Sequence, residues 1–211
     1  MPALRLPGCH QCGKAFAAAG ESAEGSCLSC QADPPDYTGA ICAAAYRGAG
    51  RELLHLFKFR GVRPAGAWWA ERLAALAPQL PEMPEVVVPV PLGRKRLRER
   101  GFNQSGIIAQ RLAHRLGCDY EPLALRRRRE TPPQSSLPLA ERARNLTNAF
   151  AADGARVAGR RVLLVDDVLT TGATARAAAR ALRRAGARTV MLAVATRTDL
   201  ALEVGTRGAA A

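Results

Sequence analysis

Thirteen consecutive residues constrain the fold more than any others: Val162–Thr174 reads Val-Leu-Leu-Val-Asp-Asp-Val-Leu-Thr-Thr-Gly-Ala-Thr and runs into an alanine- and arginine-rich stretch. Val162–Val165 is a β-prone apolar run, the pattern of a strand buried on both faces. The small and hydroxyl residues after it predict a tight turn into a helix N-terminus. First-turn N–H groups point outward and the helix dipole favours negative charge, so Thr170, Thr171, Gly172, Ala173 and Thr174 could wrap a phosphate. Asp166 and Asp167 stand beside that seat and cannot favour an anion. The ligand must therefore also bring hydroxyl donors or a metal; a sugar phosphate offers its phosphate to the turn and its ribose hydroxyls to the acids. No Gly-x4-Gly-Lys-Ser/Thr run is present, so a P-loop nucleotidase has no support. The competing reading is an ordinary strand–turn–helix with an acidic turn.

The acid pair with its threonine–glycine loop resembles the motif by which type I phosphoribosyltransferases bind 5-phosphoribosyl 1-diphosphate (PRPP). The resemblance implies that Asp166 and Asp167 hold the ribose 2′- and 3′-hydroxyls and that Thr170–Thr174 holds the 5′-phosphate. Upstream, Val86–Val90 predicts a buried strand, and Pro89-Val-Pro91 marks an abrupt turn at its carboxyl end, where open α/β sheets bind ligands. In the same resemblance this turn is the pyrophosphate loop, with backbone amides near Leu92 and Gly93 and the cations of Arg94 and Lys95 facing the diphosphate. Arg96, Arg98 and Arg100 extend the positive patch. Gly101-Phe102-Asn103-Gln104 then leads into a helix over about Ser105–Leu116, with Ile108 and Leu112 inward, that Gly117 ends.

At the front, Cys9, Cys12, Cys27 and Cys30 form Cys-x2-Cys-x14-Cys-x2-Cys, close to the spacing of two zinc knuckles facing across a short ribbon. Four sulfurs satisfy a tetrahedral zinc without a water ligand, so the expected role is structural. Disulfides are the alternative, and they fit poorly with a chain whose first residues, Met1–Gly8, lack the apolar core of a signal peptide. His10 reads as an exposed or supporting residue rather than a ligand, and Cys42 and Cys118 as small buried thiols. Pro34 and Pro35 end the module, which is expected to brace the main domain.

Between module and strand, Arg51–Phe59 and Ala67–Ala77 show amphipathic helical periodicity separated by Gly61–Gly66, with Pro78–Pro84 as a connector. A face packed into the core is the simpler reading; Lys58 on the exposed side could instead meet a ligand. After a short strand near Leu123–Leu125, the polar stretch Arg126–Asn148 is too long for a plain connector. Arg126, Arg127, Arg128, Arg129, Thr131, Gln134, Arg142 and Asn145 are placed either in a lid that closes over the diphosphate or in a solvated basic loop before a short helix at Leu139–Leu146. Phe150 starts a further strand. The helix Ala175–Ala185 closes at Gly186 and returns through a parallel strand at Thr189–Ala195, with Arg176, Arg180 and Arg184 expected in solvent.

The chain carries 31 Lys+Arg against 18 Asp+Glu. Residues 94–144 hold thirteen of the cations against five acids, a net of +8, so the excess is local and invites a polyanion; an arginine-rich composition typical of GC-rich coding is the bland alternative. With 211 residues and 48% hydrophobic content, one α/β domain plus a small appendage is expected. No run reaches the ~20 apolar residues of a membrane helix, so the expectation is a cytoplasmic protein without membrane insertion.

Taken in order, the four-cysteine knuckle, Pro89-Val-Pro91-Leu92, Arg100-Gly-Phe-Asn-Gln104, the Gln134…Arg142-x2-Asn145…Phe150 series and the Asp-Asp-Val-x-Thr-Thr-Gly-Ala-Thr run resemble the ComF family across nearly the whole chain. The resemblance implies a zinc module (1–36), a helical connector packed on the main domain (37–84), an α/β, type I phosphoribosyltransferase-like domain with a mainly parallel sheet (85–204) and a loose tail (205–211). It implies PRPP with Mg²⁺ as ligand, possible phosphoribosyl transfer to an unidentified acceptor, and service in DNA uptake and natural transformation with DNA-uptake proteins as partners. In that transfer Asp166, Asp167, Arg94 and Lys95 would be the catalytic groups. The other reading is a PRPP-sensing accessory protein that binds single-stranded DNA through Arg94–Arg100, Phe102 and Arg126–Arg129.

Overall fold

The computed structural model describes residues 8–14, 25–128 and 149–198. Five strands, β1 (Ala40–Ala45), β2 (Val86–Pro89), β3 (Asp119–Tyr120), β6 (Arg161–Leu169) and β7 (Thr189–Arg197), build one sheet in the order β1-β7-β6-β2-β3, parallel throughout. Two more, β4 (Leu125–Arg127) and β5 (Phe150–Ala152), pair antiparallel as a separate hairpin. The helices are α1 (Leu28–Ala32), α2 (Gly48–Phe59), α3 (Pro64–Leu76), α4 (Arg94–Arg100), α5 (Gln104–Leu116), α6 (Gly154–Val157) and α7 (Ala173–Arg184).

The central strands are buried on both faces, as their valine- and leucine-rich runs require, and alternate residues serve two layers. Leu163 and Val165 pack with Leu54, Phe57, Trp69, Leu73, Ile108 and Leu112, joining α2, α3 and α5 on one face. Val162 and Leu164 pack on the other with Phe150 and the alanine face of α7, where Ala175, Ala178, Ala179 and Leu182 recur at helical spacing. The small alanines let α7 approach the strands closely. Among the described residues no helix is long and apolar enough to cross a membrane.

Several elements differ from expectation. The strand expected at Val162–Val165 continues to Leu169, because β7 supplies ladder partners beyond the acid pair, with Val168 opposite Thr196. The segment 37–84, expected as a helical connector, also contributes β1. Its sequence Ala-Ile-Cys-Ala-Ala-Ala lacks the β-branched signature, and pairing with β7 makes it a strand. The next short strand begins at Leu125, after the 53% exposed Leu123. Cys42 and Cys118 are half-buried, donating weakly to the carbonyls of Ala44 and Pro84, each at 3.1 Å. Leu139–Leu146 and the tail 205–211 lie outside the described residues.

Helix α2 starts close against β1. A Cβ placed on Gly50 would stand 2.6 Å from the Ala45 carbonyl oxygen, and a backbone group cannot swing aside. Gly50→Ala is expected to cost about 1–3 kcal/mol by overpacking, measurable as a lower urea midpoint at unchanged m-value.

Candidate functional site

The chain leaves β2 toward β3 and leaves β6 toward β7 in the opposite direction, so the strand order reverses between β2 and β6. Open α/β sheets bind ligands outside the carboxyl ends of strands at such a switch point. Pro89 pairs with Val165, and the Val90 N–H donates to the Val165 carbonyl at 2.9 Å. The turn at Pro91–Gly93 and the acid pair therefore flank one crevice. Gly93 precedes α4, and a Cβ on it would meet nothing within 4 Å, leaving its backbone open to a ligand. Arg94 and Lys95, expected in a loop, occupy the exposed first turn of α4, and Arg96 and Arg98 follow on the same short helix.

Both acids turn toward the layer formed by α2, α3 and α5. Val165 and Val168 pack on that same layer, so the side-chain alternation of β6 reverses across Asp166 and Asp167. Asp166 Oδ1 accepts from Ser105 Oγ at 3.2 Å and from the Asp167 N–H at 2.8 Å. Asp167 Oδ2 pairs with Lys58 Nζ at 2.9 Å, the two side chains being 14% and 15% exposed. Burial, and then the Asp167 charge, push the Asp166 carboxyl up from 3.8 to about 7. Lys58 thus reaches the ligand crevice from the end of α2 rather than lying on a plain outer face.

The Arg100–Gln104 motif ties this site together. Gly101 ends α4 at φ +72°. Asn103 Nδ2 donates to the Val90 carbonyl at 3.0 Å, clamping the start of α5 to the end of β2. Gln104 is fully buried and accepts from Arg100 Nη1 at 3.1 Å. Burial lowers the Arg100 pKa, and the charge of Asp167 opposes that shift, so the guanidinium belongs to the same electrostatic cluster. Ser105, which follows the motif directly, completes it; the sequence reading passed over it as the first residue of a helix.

The loop expected to seat a phosphate follows the acids directly. Gly172 adopts φ +77°, a conformation that favours glycine, and its carbonyl accepts the Arg176 N–H at 2.8 Å. Helix α7 accordingly starts at Ala173, whose N–H is 3.4 Å from Thr171 Oγ1. Thr170 is exposed, and Thr171, Gly172, Ala173 and Thr174 are half-buried around that N-terminus. The loop has the form of an anion seat.

Cys9, Cys12, Cys27 and Cys30 are buried, with all four sulfurs within 4.8 Å of one another and Cys12 and Cys27 at 3.7 Å. A tetrahedral zinc with Zn–S bonds of about 2.3 Å places its sulfurs about 3.8 Å apart. The cluster could hold a metal ion and is consistent with zinc. Burial pushes the Cys12 and Cys30 thiols up, so four thiolates together call for a cation at their centre. All six cysteines are free of disulfides. Two arginines expected in solvent hold the module to α7, Arg176 Nη1 donating to Asp33 Oδ2 and Arg180 Nη2 to Asp36 Oδ2, both at 2.9 Å; from β7, Arg197 Nη1 donates to the Cys12 carbonyl. Their spacing along α7 was visible; their partners, more than 140 positions away, were not.

Of the residues expected in a lid, Arg126 and Arg127 lie in β4 and Arg128 follows it, with the Arg127 guanidinium 5.6 Å from the Phe150 ring centre. Arg129, Thr131, Gln134, Arg142 and Asn145 lie outside the described residues.

Residues 102–199 match the phosphoribosyl transferase domain. The chain is 36% identical over 199 residues to DNA utilization protein YhgH of Salmonella typhimurium, covering 92% of this chain and 86% of that protein. It is 30% identical over 172 residues to competence protein F of Haemophilus influenzae, covering 76% and 73%. Among solved structures, the glutamine PRPP amidotransferase of B. subtilis complexed with ADP and GMP is similar at a TM-score of 0.46 and 22% identity, over 67% of this chain and 30% of that one.

The raised Asp166 pKa sets a pH dependence. The folded state holds this proton more tightly than the unfolded chain, so the stability it confers is complete below about pH 4 and is lost as pH rises through about 7. Asp166→Asn, which is uncharged throughout, is expected to raise the melting temperature by several degrees at pH 8 and to leave it nearly unchanged at pH 4. Equal shifts at both pH values would contradict the assignment.

Proposed function

Because this chain belongs to the ComF family, which joins it to DNA utilization protein YhgH and competence protein F, we propose that it binds PRPP with Mg²⁺ and transfers the phosphoribosyl group, in the service of DNA uptake. The observation that carries this reading is the juxtaposition, at one switch point, of a half-buried acid pair with its own cation and a threonine–glycine seat at the start of α7. Acids and anion seat make sense together only for a ligand that offers hydroxyls at one position and phosphate at another.

In this reading Asp167 and Asp166 accept the ribose hydroxyls. Thr170–Thr174 take the 5′-phosphate on backbone and hydroxyl donors. The amides of Leu92 and Gly93, with Arg94 and Lys95 on the first turn of α4, receive the diphosphate. Mg²⁺, held with the ligand beside Asp166 and Asp167, would supply charge neutralisation to the departing diphosphate. The C1–O bond breaks with its electron pair going to pyrophosphate, and the acceptor's lone pair forms the new bond to C1 and releases a proton. Arg94, Lys95 and Arg100 stabilise the charge that develops on the departing diphosphate. Lys58 neutralises Asp167 before ligand arrives and holds that carboxylate in place.

A second reading, single-stranded DNA binding, is favoured by one surface. Helix α4 buries none of its residues and presents Arg94, Arg96 and Arg98 to solvent. At its end the Arg100 guanidinium lies 5.1 Å from the ring centre of Phe59, which is 59% exposed. Phe102, expected as the stacking ring, is packed instead, 5.7 Å from Phe57 and 5.5 Å from the Arg63 guanidinium. Phe59 therefore replaces it as the ring on which a base would stack, and the arginines supply salt-sensitive backbone contacts.

Two measurements test these readings. Replacing Asp166 and Asp167 together by Asn is expected to weaken Mg–PRPP binding at least tenfold, on the order of 1.4 kcal/mol or more, in a calorimetric titration; unchanged affinity refutes the ribose assignment. Phe59→Ala is expected to lower affinity for a labelled single-stranded oligonucleotide by roughly tenfold in fluorescence anisotropy, and an unaltered isotherm removes Phe59 from the DNA surface.

A further inference from the structure

A cavity of about 240 Å³ separates the cysteine cluster from the phosphate seat. Its lining includes Cys12, Cys27 and Cys30 of the cluster, Thr170, Thr171 and Gly172 of the loop, and the cations Lys14, Arg176 and Arg197. Three cations converge there, yet they are not equally committed. Arg176 donates to Asp33, and Arg197 to the Cys12 carbonyl. Lys14 sits two residues beyond Cys12, half-buried, and among the described residues its ammonium has no hydrogen-bond or ion-pair partner. A half-buried lysine that lines a polar cavity and has no partner among the described residues is a donor set for an anion.

We infer that the metal module is one wall of the phosphate pocket, with Lys14 reaching across the cavity to the phosphate monoester of a sugar phosphate seated on Thr170–Gly172. The inference rests on the reading of that loop as the phosphate seat. Lys14 is held where it is by the knuckle: the Gly13 N–H donates to the Cys9 carbonyl at 2.7 Å and the Cys9 N–H to the Lys14 carbonyl at 2.8 Å. Four thiolates fix that turn only around a cation, so metal occupancy positions the lysine. Metal and phosphate affinities are then linked, and by reciprocity phosphate strengthens the hold on the metal by the same factor. The competing explanation is that Lys14 only offsets the thiolate cluster, whose net charge with zinc is about −2. In that case removing it changes zinc affinity and leaves phosphate binding alone.

The test uses the full chain, zinc-replete as verified by metal analysis, titrated calorimetrically with ribose 5-phosphate. Lys14→Ala is expected to weaken binding roughly tenfold, the scale of one charge-assisted hydrogen bond, and Lys14→Arg to restore most of it. Saturating ribose 5-phosphate is expected to raise the chelator concentration needed to strip zinc from the wild type and to have little effect on Lys14→Ala. If the wild type does not bind ribose 5-phosphate, the phosphate seat itself fails and the inference falls with it. If the wild type binds and a folded, zinc-replete Lys14→Ala protein binds as tightly, the seat stands and the module's part in it is overturned.

Discussion

Two adjacent carboxylates at the carboxyl end of the central strand are the constraint around which this molecule is arranged. Taking one such charge out of water costs several kcal/mol unless partners repay it. Three separate elements offset part of that cost, which for Asp166 is not fully met, its carboxyl being pushed up to about 7. Lys58 arrives from the last turn of α2, Ser105 from the first turn of α5, and the Asp167 amide from the strand itself. Lys58 can arrive only if α2 runs close along β1, and the tight fit of Gly50 against Ala45 sets that approach. Ser105 can arrive only if α5 starts at the end of β2, where Asn103 is fastened to Val90. The acid pair thus ties down two of the three helices of one layer, and the electrostatics of the site and the packing of the fold are one problem.

Around this centre, charge is sorted by position. Acids occupy the middle of the crevice, an anion seat lies on one side at the start of α7, and the cations of α4 lie on the other. A simple polyanion would meet the acids unfavourably, and a neutral sugar would leave the cations unused. PRPP, with a diol between a phosphate and a diphosphate, has the matching order of groups. The cysteine module shares a cavity with Thr170–Gly172 and is bound to α7 by Arg176 and Arg180 and to β7 by Arg197. The bridges themselves are partly exposed and each contributes little; their effect is to orient the module.

What could be read in the sequence was local and repeated. Val162–Thr174 announced a buried strand, a turn and a helix because hydrophobic run, hydroxyl loop and alanine periodicity are contiguous, and the four-cysteine spacing announced a metal cluster. What could not be read depended on contacts between distant segments. Strand β1 is alanine-rich and becomes a strand only beside β7. Lys58 looks like any cation near a helix end until Asp167, more than a hundred positions later, stands opposite it. Arg176 and Arg180 share a helix face that would suit solvent equally well. Phe102 had the right neighbours in sequence for a stacking ring, yet the packing of Phe57 and Arg63 encloses it and leaves Phe59 outside.

The measurement that bears hardest on the acid-centred site is a calorimetric titration of zinc-replete wild-type protein with PRPP and Mg²⁺ at pH 8, beside matched titrations with pyrophosphate and with ribose 5-phosphate. A one-to-one isotherm for PRPP, tighter than for either half alone, is the expected result, because only the whole ligand spans α4, the acid pair and the start of α7. If PRPP bound no more tightly than pyrophosphate, the cations alone would account for binding and the acid pair would have no part in it.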